Sequence, residues 1–232
     1  MADGAVAHAH EHHHADLQHH FDTLEQQHEA ATLGMWLFLI TEVLFFGGLF
    51  LAYMLYRVWY PVAWRDGSLE LDIYLGTINT GVLIGSSLTM ALAVRAAQTG
   101  QQRQIVGWLL GTMALGLTFL VIKYFEYADK FEHGHVPGWM GGGFVFEGPQ
   151  GRPAEIYFSL YFLMTGLHAT HMIIGFGIMS VITWMAWKGR FSREWNTPVE
   201  ITGLYWHFVD IVWIFLFPLL YLVDRAHGTA VM

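Results

Sequence analysis

Eight side chains able to ionise or to hydrogen-bond strongly lie inside otherwise apolar stretches of the chain: Glu42, Asn79, Lys123, Glu126, His168, His171, His207 and Asp210. Six of them form pairs three residues apart, Lys123 with Glu126, His168 with His171, and His207 with Asp210. Such spacing places both members on one face of a helix. Two kinds of chemistry suit these pairs. His-x-x-His and His-x-x-Asp together can supply four metal ligands from two helices. Alternatively the pairs hydrogen-bond between helices, with Lys123 neutralising Glu126. A bundle-type di-iron centre would need paired Glu-x-x-His motifs, and the apolar stretches hold none. Bis-histidine haem ligation needs rings facing across a pocket, which two neighbours on one helix do not provide. Glu42 stands apart, flanked by Phe38, Phe45 and Phe46, with no cation at i±3 or i±4. It suits a hydrogen bond to a neighbouring helix, or a contact to a proton path or a partner subunit.

The elements that must carry these groups are membrane helices. Of 232 residues, 54% are hydrophobic, 16% aromatic and only 13% charged, and the mean hydropathy is +0.39. That balance excludes an ordinary soluble domain or a disordered regulator. A net charge of −8 is the wrong sign for a nucleic-acid partner. Cysteine is absent, so disulfides, thiolate zinc sites, iron–sulfur clusters and c-type haem attachment are excluded. Five runs are long enough to span a bilayer, about 35–56, 73–94, 105–127, 156–187 and 201–223. They are continuous rather than alternating, which excludes a β-barrel. The expected fold is all-α, a multi-pass bundle of five transmembrane helices over residues 35–225.

Residues 1–34 form a polar, histidine-rich tail with eight of the fourteen histidines, six acids and no Lys or Arg. It has the makings of a solvated segment with a short amphipathic helix through Leu17, Phe21 and Leu24, and residues 226–232 form a second tail. Tyr60-Pro61 and Asp66-Gly67 signal a loop after the first span, and a Gly- and Pro-rich loop covers about 129–155. Gly81/Gly85 and Gly107/Gly111 have the spacing that lets helices approach closely. Pro218 should kink the last helix and free the carbonyl of Ile214. Five basic residues fall on either side of the membrane, so the charge rule does not orient the chain. The shorter, less acidic loops lie with the N-terminus and favour that side as cytoplasmic.

Several of these segments resemble one family. Gly203–Phe217, GLYWHFVDIVWIFLF, resembles the final helix of subunit III of cytochrome c oxidase nearly residue for residue. Thr165–Gly175, TGLHATHMIIG, resembles the penultimate helix with its Gly-x-His-x-x-His pattern. Residues 40–50 resemble the helix bearing the family's membrane glutamate, at Glu42, and Asn79-Thr80 and Glu126-Tyr127 have counterparts. The resemblance runs in order from about residue 33 to 223.

It implies a non-catalytic core subunit of a proton-pumping haem–copper oxidase in a bacterial plasma membrane. Such a subunit binds no metal, packs on subunit I, holds phospholipid, and supports proton uptake and stability. Haem and copper belong to subunits I and II, and the electron donor, cytochrome c or quinol, is met only through subunit II. Glu42, Asn79, Glu126, His168, His171, His207 and Asp210 are the residues expected to contact a proton path, lipid or partner. Long members of the family have seven helices; this chain lacks the first two, and a subunit I with two extra C-terminal helices is a possible partner. Subunit III of a quinol oxidase and an accessory subunit of a nitric-oxide reductase fit the same resemblance. A membrane oxidoreductase with a metal on His168, His171 and His207 is the reading from another class.

Overall fold

The computed structural model describes residues 17–141, 143–146 and 151–222. His8, His10, His12, His13 and His14 of the tail, and the 226–232 tail, lie outside them. The described residues form helices α1 (Leu24–Trp59), α2 (Pro61–Leu69), α3 (Ile73–Gln98), α4 (Gln102–Glu132), α5 (Gly151–Trp187) and α6 (Thr197–Phe217). All but α2 are long and apolar enough to cross a membrane.

Local chemistry sets the ends. The Thr23 hydroxyl caps α1 by accepting from the Gln26 amide at 3.1 Å, with Glu25 in the first turn. The helix therefore starts well before the apolar run, and residues 24–34 of the polar stretch form its first turns. Leu17 and Phe21 precede it, so they share no amphipathic helix with Leu24. Asp72 caps α3, accepting from the amides of Tyr74 (2.8 Å) and Leu75 (3.3 Å). Gly100, at φ 73°, takes the left-handed turn that closes α3 and lets α4 begin two residues later.

The segment expected as a loop after the first span is instead α2. Pro61 takes the first helical position, where its missing N–H is no loss. Trp64 is buried against Tyr53, Tyr56 and Tyr157, with ring centroids 5.6–6.4 Å apart. Between α4 and α5 a short 3₁₀ turn, Gly138–Met140, is tied to α5 through the Gly138 amide on Glu155 and the Trp139 indole on Ser159.

Helix α6 is the central element. It packs on α1, α3 and α5, and 56% of its apolar window is buried, against 11% for α1. Trp206 of α6 fills a slot made by two glycines, Gly116 of α4 and Gly175 of α5. A Cβ at either would stand 2.9–3.0 Å from the indole. Neither glycine belongs to the two Gly-x-x-x-Gly motifs, of which Gly81 and Gly107 face open space. At Pro218 the α-helix gives way to a π turn, Pro218–Leu222. Proline cannot donate to Ile214, and carbonyls of the turn are free to accept from other helices. Tyr53 and Tyr157 donate to the carbonyls of Leu219 (2.6 Å) and Leu220 (3.0 Å).

Candidate functional site

The expected pairing of Lys123 with Glu126 is present, and it is the centre of a larger cluster. The Lys123 ammonium donates to Glu126 Oε2 at 3.1 Å, to the Tyr161 hydroxyl at 3.1 Å and to the Tyr221 hydroxyl at 3.0 Å. Those three bonds exhaust its donors. Glu126 Oε1 accepts from Tyr161 at 2.8 Å and from Tyr221. The cation also lies 5.3 Å from the Trp213 ring. All of these groups are buried. The cluster ties α4, α5 and the π turn together with no polar atom of the ion pair left over, the condition under which a buried pair is tolerable.

Glu42 also has a partner, from another helix. Its Oε2 lies 3.1 Å from His171 Nε2 on α5, with 17% and 11% of the two side chains exposed. His171 Nδ1 is 2.9 Å from the carbonyl oxygen of Leu167. A carbonyl only accepts, so Nδ1 carries hydrogen. The contact between Nε2 and the carboxyl then holds a single proton, which makes the pair either imidazolium and carboxylate or imidazole and carboxylic acid. Phe46 lies against the imidazole at 5.4 Å, and Tyr205 of α6 donates to the His171 carbonyl at 2.9 Å. Three helices thus fix the geometry of this hydrogen bond.

The other two pairs do not close on themselves. His168 turns away from His171 and sits between Phe119 (5.4 Å) and Trp213 (5.3 Å). His207 Nδ1 lies 2.8 Å from the Ser87 hydroxyl of α3. Asp210, expected beside it, meets Ser86, whose hydroxyl is 3.5 Å from Oδ1; Ser86 also accepts the Trp206 indole at 3.1 Å. Asn79 is fully buried on α3. His168, His171 and His207 therefore go to three different neighbourhoods. Among the described residues no group of three or more His, Asp or Glu is placed to hold a metal.

Sequence spacing missed several partners. Tyr161, Tyr221, Ser86, Ser87 and Trp213 come from helices distant in the chain. The only local signal was the mid-membrane position of the serines, since hydroxyls there bond across helices. Outside the membrane spans, His135 is stacked on Phe158 at 4.9 Å. Burial first, with Lys130 and His133, holds its pKa below the ordinary histidine value, against an opposite pull from Glu70 and Asp129.

The family profile described as cytochrome c oxidase subunit III matches residues 16–134 and 149–224. A cytochrome c oxidase subunit 3 of Thermostichus vulcanus is 32% identical over 222 residues, 95% of this chain and 94% of that one. Its counterpart in Synechocystis sp. is 32% identical over 191 residues, 82% of this chain and 74% of that one. A heme-copper oxidase subunit I+III of Aeropyrum pernix is 32% identical over 196 residues, 82% of this chain but 22% of that longer protein. With five spans and a family match over most of its length, the chain is an integral membrane protein that belongs to the cytochrome c oxidase subunit III family.

Proposed function

We propose that this chain is a non-catalytic core subunit of a proton-pumping haem–copper oxidase. It packs on subunit I, holds phospholipid, and supports proton uptake and lasting activity. Haem and copper then reside in subunits I and II, and subunit II selects the electron donor. The observation that carries the role in proton uptake is the Glu42–His171 pair, one proton held between α1 and α5 by a fixed hydrogen-bond geometry. The subunit I+III name of the Aeropyrum pernix relative supports packing on subunit I. The outward apolar residues of α1, among them Leu37, Leu44, Phe45 and Leu51, offer a face for lipid or subunit contact. The N-terminus is assigned to the cytoplasmic side of a bacterial plasma membrane.

The test is Glu42→Gln in the purified oxidase. Assembly should be retained, while proton uptake slows modestly or inactivation during turnover is hastened. Loss of assembly instead would make Glu42 a packing contact and remove the proton role. Metal analysis of the separated subunits checks the non-catalytic part, which stoichiometric iron or copper on this chain would overturn.

A further inference from the structure

Three polar side chains of the bundle interior have atoms with no protein partner among the described residues: both amide atoms of Asn79, both ring nitrogens of His168, and Oδ2 of Asp210. The residues are 0%, 1% and 3% exposed, so almost none of their surface is open to lipid or to a partner chain. His168 touches Trp213, and the other two belong to the stretches of α3 and α6 that meet at it. The Trp213 ring lies 5.3 Å from that of His168. Its indole N–H donates at 3.1 Å to Thr80, the residue after Asn79. Asp210 precedes it on α6 by about one turn. Phe119 closes the group from α4, 4.7 Å from Trp213 and 5.4 Å from His168.

Within a membrane the bulk solvent cannot satisfy these atoms, and leaving each of them dry is unfavourable. Their chemistry is mixed in the way water requires. The Asp210 oxygen accepts when ionised, the Asn79 amide both donates and accepts, and a neutral imidazole does one of each. A water molecule enclosed in a protein characteristically makes two to four such bonds. The neighbouring Lys123–Glu126 cluster needs none, because its donors and acceptors are already matched.

We infer that enclosed water molecules occupy the core beside Trp213 and bridge Asp210, Asn79 and His168. They connect a carboxyl and an imidazole on different helices that have no direct contact, and they border the Lys123 ion pair. Asp210 also lines a groove of about 380 Å³ between α3 and α6, together with Ser87 and His207.

Hydroxyl-radical footprinting by X-ray pulse, read by mass spectrometry on the whole purified oxidase, tests this directly. Radicals formed from enclosed water label the side chains touching it, however buried. Trp213 and His168 should be labelled several-fold faster than Tyr157, which is equally buried and whose hydroxyl already has a partner. Labelling of Trp213 as slow as that of Tyr157 would overturn the inference. His168→Phe and Asn79→Leu give a second readout. In a hydrated core they cut Trp213 labelling several-fold without raising the thermal midpoint. A dry core would respond with a higher midpoint and unchanged labelling. If neither variant assembles, the footprint of the wild-type complex decides alone.

Discussion

Lys123 and Glu126, 3.1 Å apart and one turn from each other on α4, use up each other's hydrogen-bonding capacity together with the phenols of Tyr161 and Tyr221. Breaking such a buried pair costs about 3–5 kcal/mol, because the survivor is left charged and unmatched. The two directions are not equivalent here. Lys123→Met leaves Glu126 with two phenol donors, whereas Glu126→Leu leaves the ammonium without its counter-charge. Glu126→Leu should therefore lower the thermal midpoint of the complex more, and the double variant should recover part of the loss. Equal single losses that add in the double variant would show that the cluster does not act as a unit.

His207 and Asp210 bond to neighbouring serines on α3 and not to one another. A double-mutant cycle separates the two arrangements. His207→Ala with Ser87→Ala should show a coupling of about 0.6 kcal/mol, with about 1.7 kcal/mol as the upper range for such bonds in membranes. The cycle of His207→Ala with Asp210→Asn should show a smaller coupling, because those two side chains meet only through the shared Ser87 hydroxyl. The reverse order would mean that the i,i+3 pair closes on α6.

The slot around Trp206 makes two glycines far more sensitive than the Gly-x-x-x-Gly motifs. A Cβ at Gly116 would stand 3.0 Å from Trp206 and 3.1 Å from Phe176, and one at Gly175 2.9 Å from Trp206. Overpacking of this kind costs about 1–3 kcal/mol. Gly116→Ala and Gly175→Ala should each lower the thermal midpoint, and Trp206→Phe should relieve part of the loss by shrinking the ring. Gly107→Ala, which meets nothing within 4 Å, should leave it unchanged or slightly raised. Similar effects at Gly107 and Gly175 would refute the slot.

The five spans were legible because each is a continuous apolar run of the right length, a signal that needs no tertiary knowledge. The α2 helix was not, because Pro61 and Gly67 read as turn residues. Their helical use depends on a first-turn position and on the ring of Tyr157 against Gly67. At the polar sites, spacing alone was half a rule. Residues three apart lie about 60° from one another around a helix. The long, flexible Lys123 side chain spans that angle to reach Glu126. The short, stiff imidazole of His168 does not, so it faces Trp213 while His171 faces Glu42. Tyr221 was invisible for a different reason. It reaches Glu126 from beyond Pro218, in a π turn whose geometry no helical periodicity describes.

His135 gives the loop on the far side of the membrane from α1's start a sensitivity to acid. It stacks on Phe158 and also faces Phe146, with Glu70, Lys130, His133 and Asp129 as the charged and titratable groups about it. Because its folded-state pKa is lowered, the unfolded loop binds more protons than the folded one between the two values. Stability contributed by the neutral ring is thus fully present above the ordinary histidine pKa of about 6.5, and it is lost as pH falls through that value toward the folded one. Amide exchange across residues 133–146 should accelerate from pH 7.5 to pH 5.5, after correction for intrinsic rates. His135→Phe keeps the stacking and removes the proton, so its exchange should be nearly flat over the same range. An unchanged pH response in His135→Phe would place the acid sensitivity on His133 or on the carboxylates, not on the buried ring.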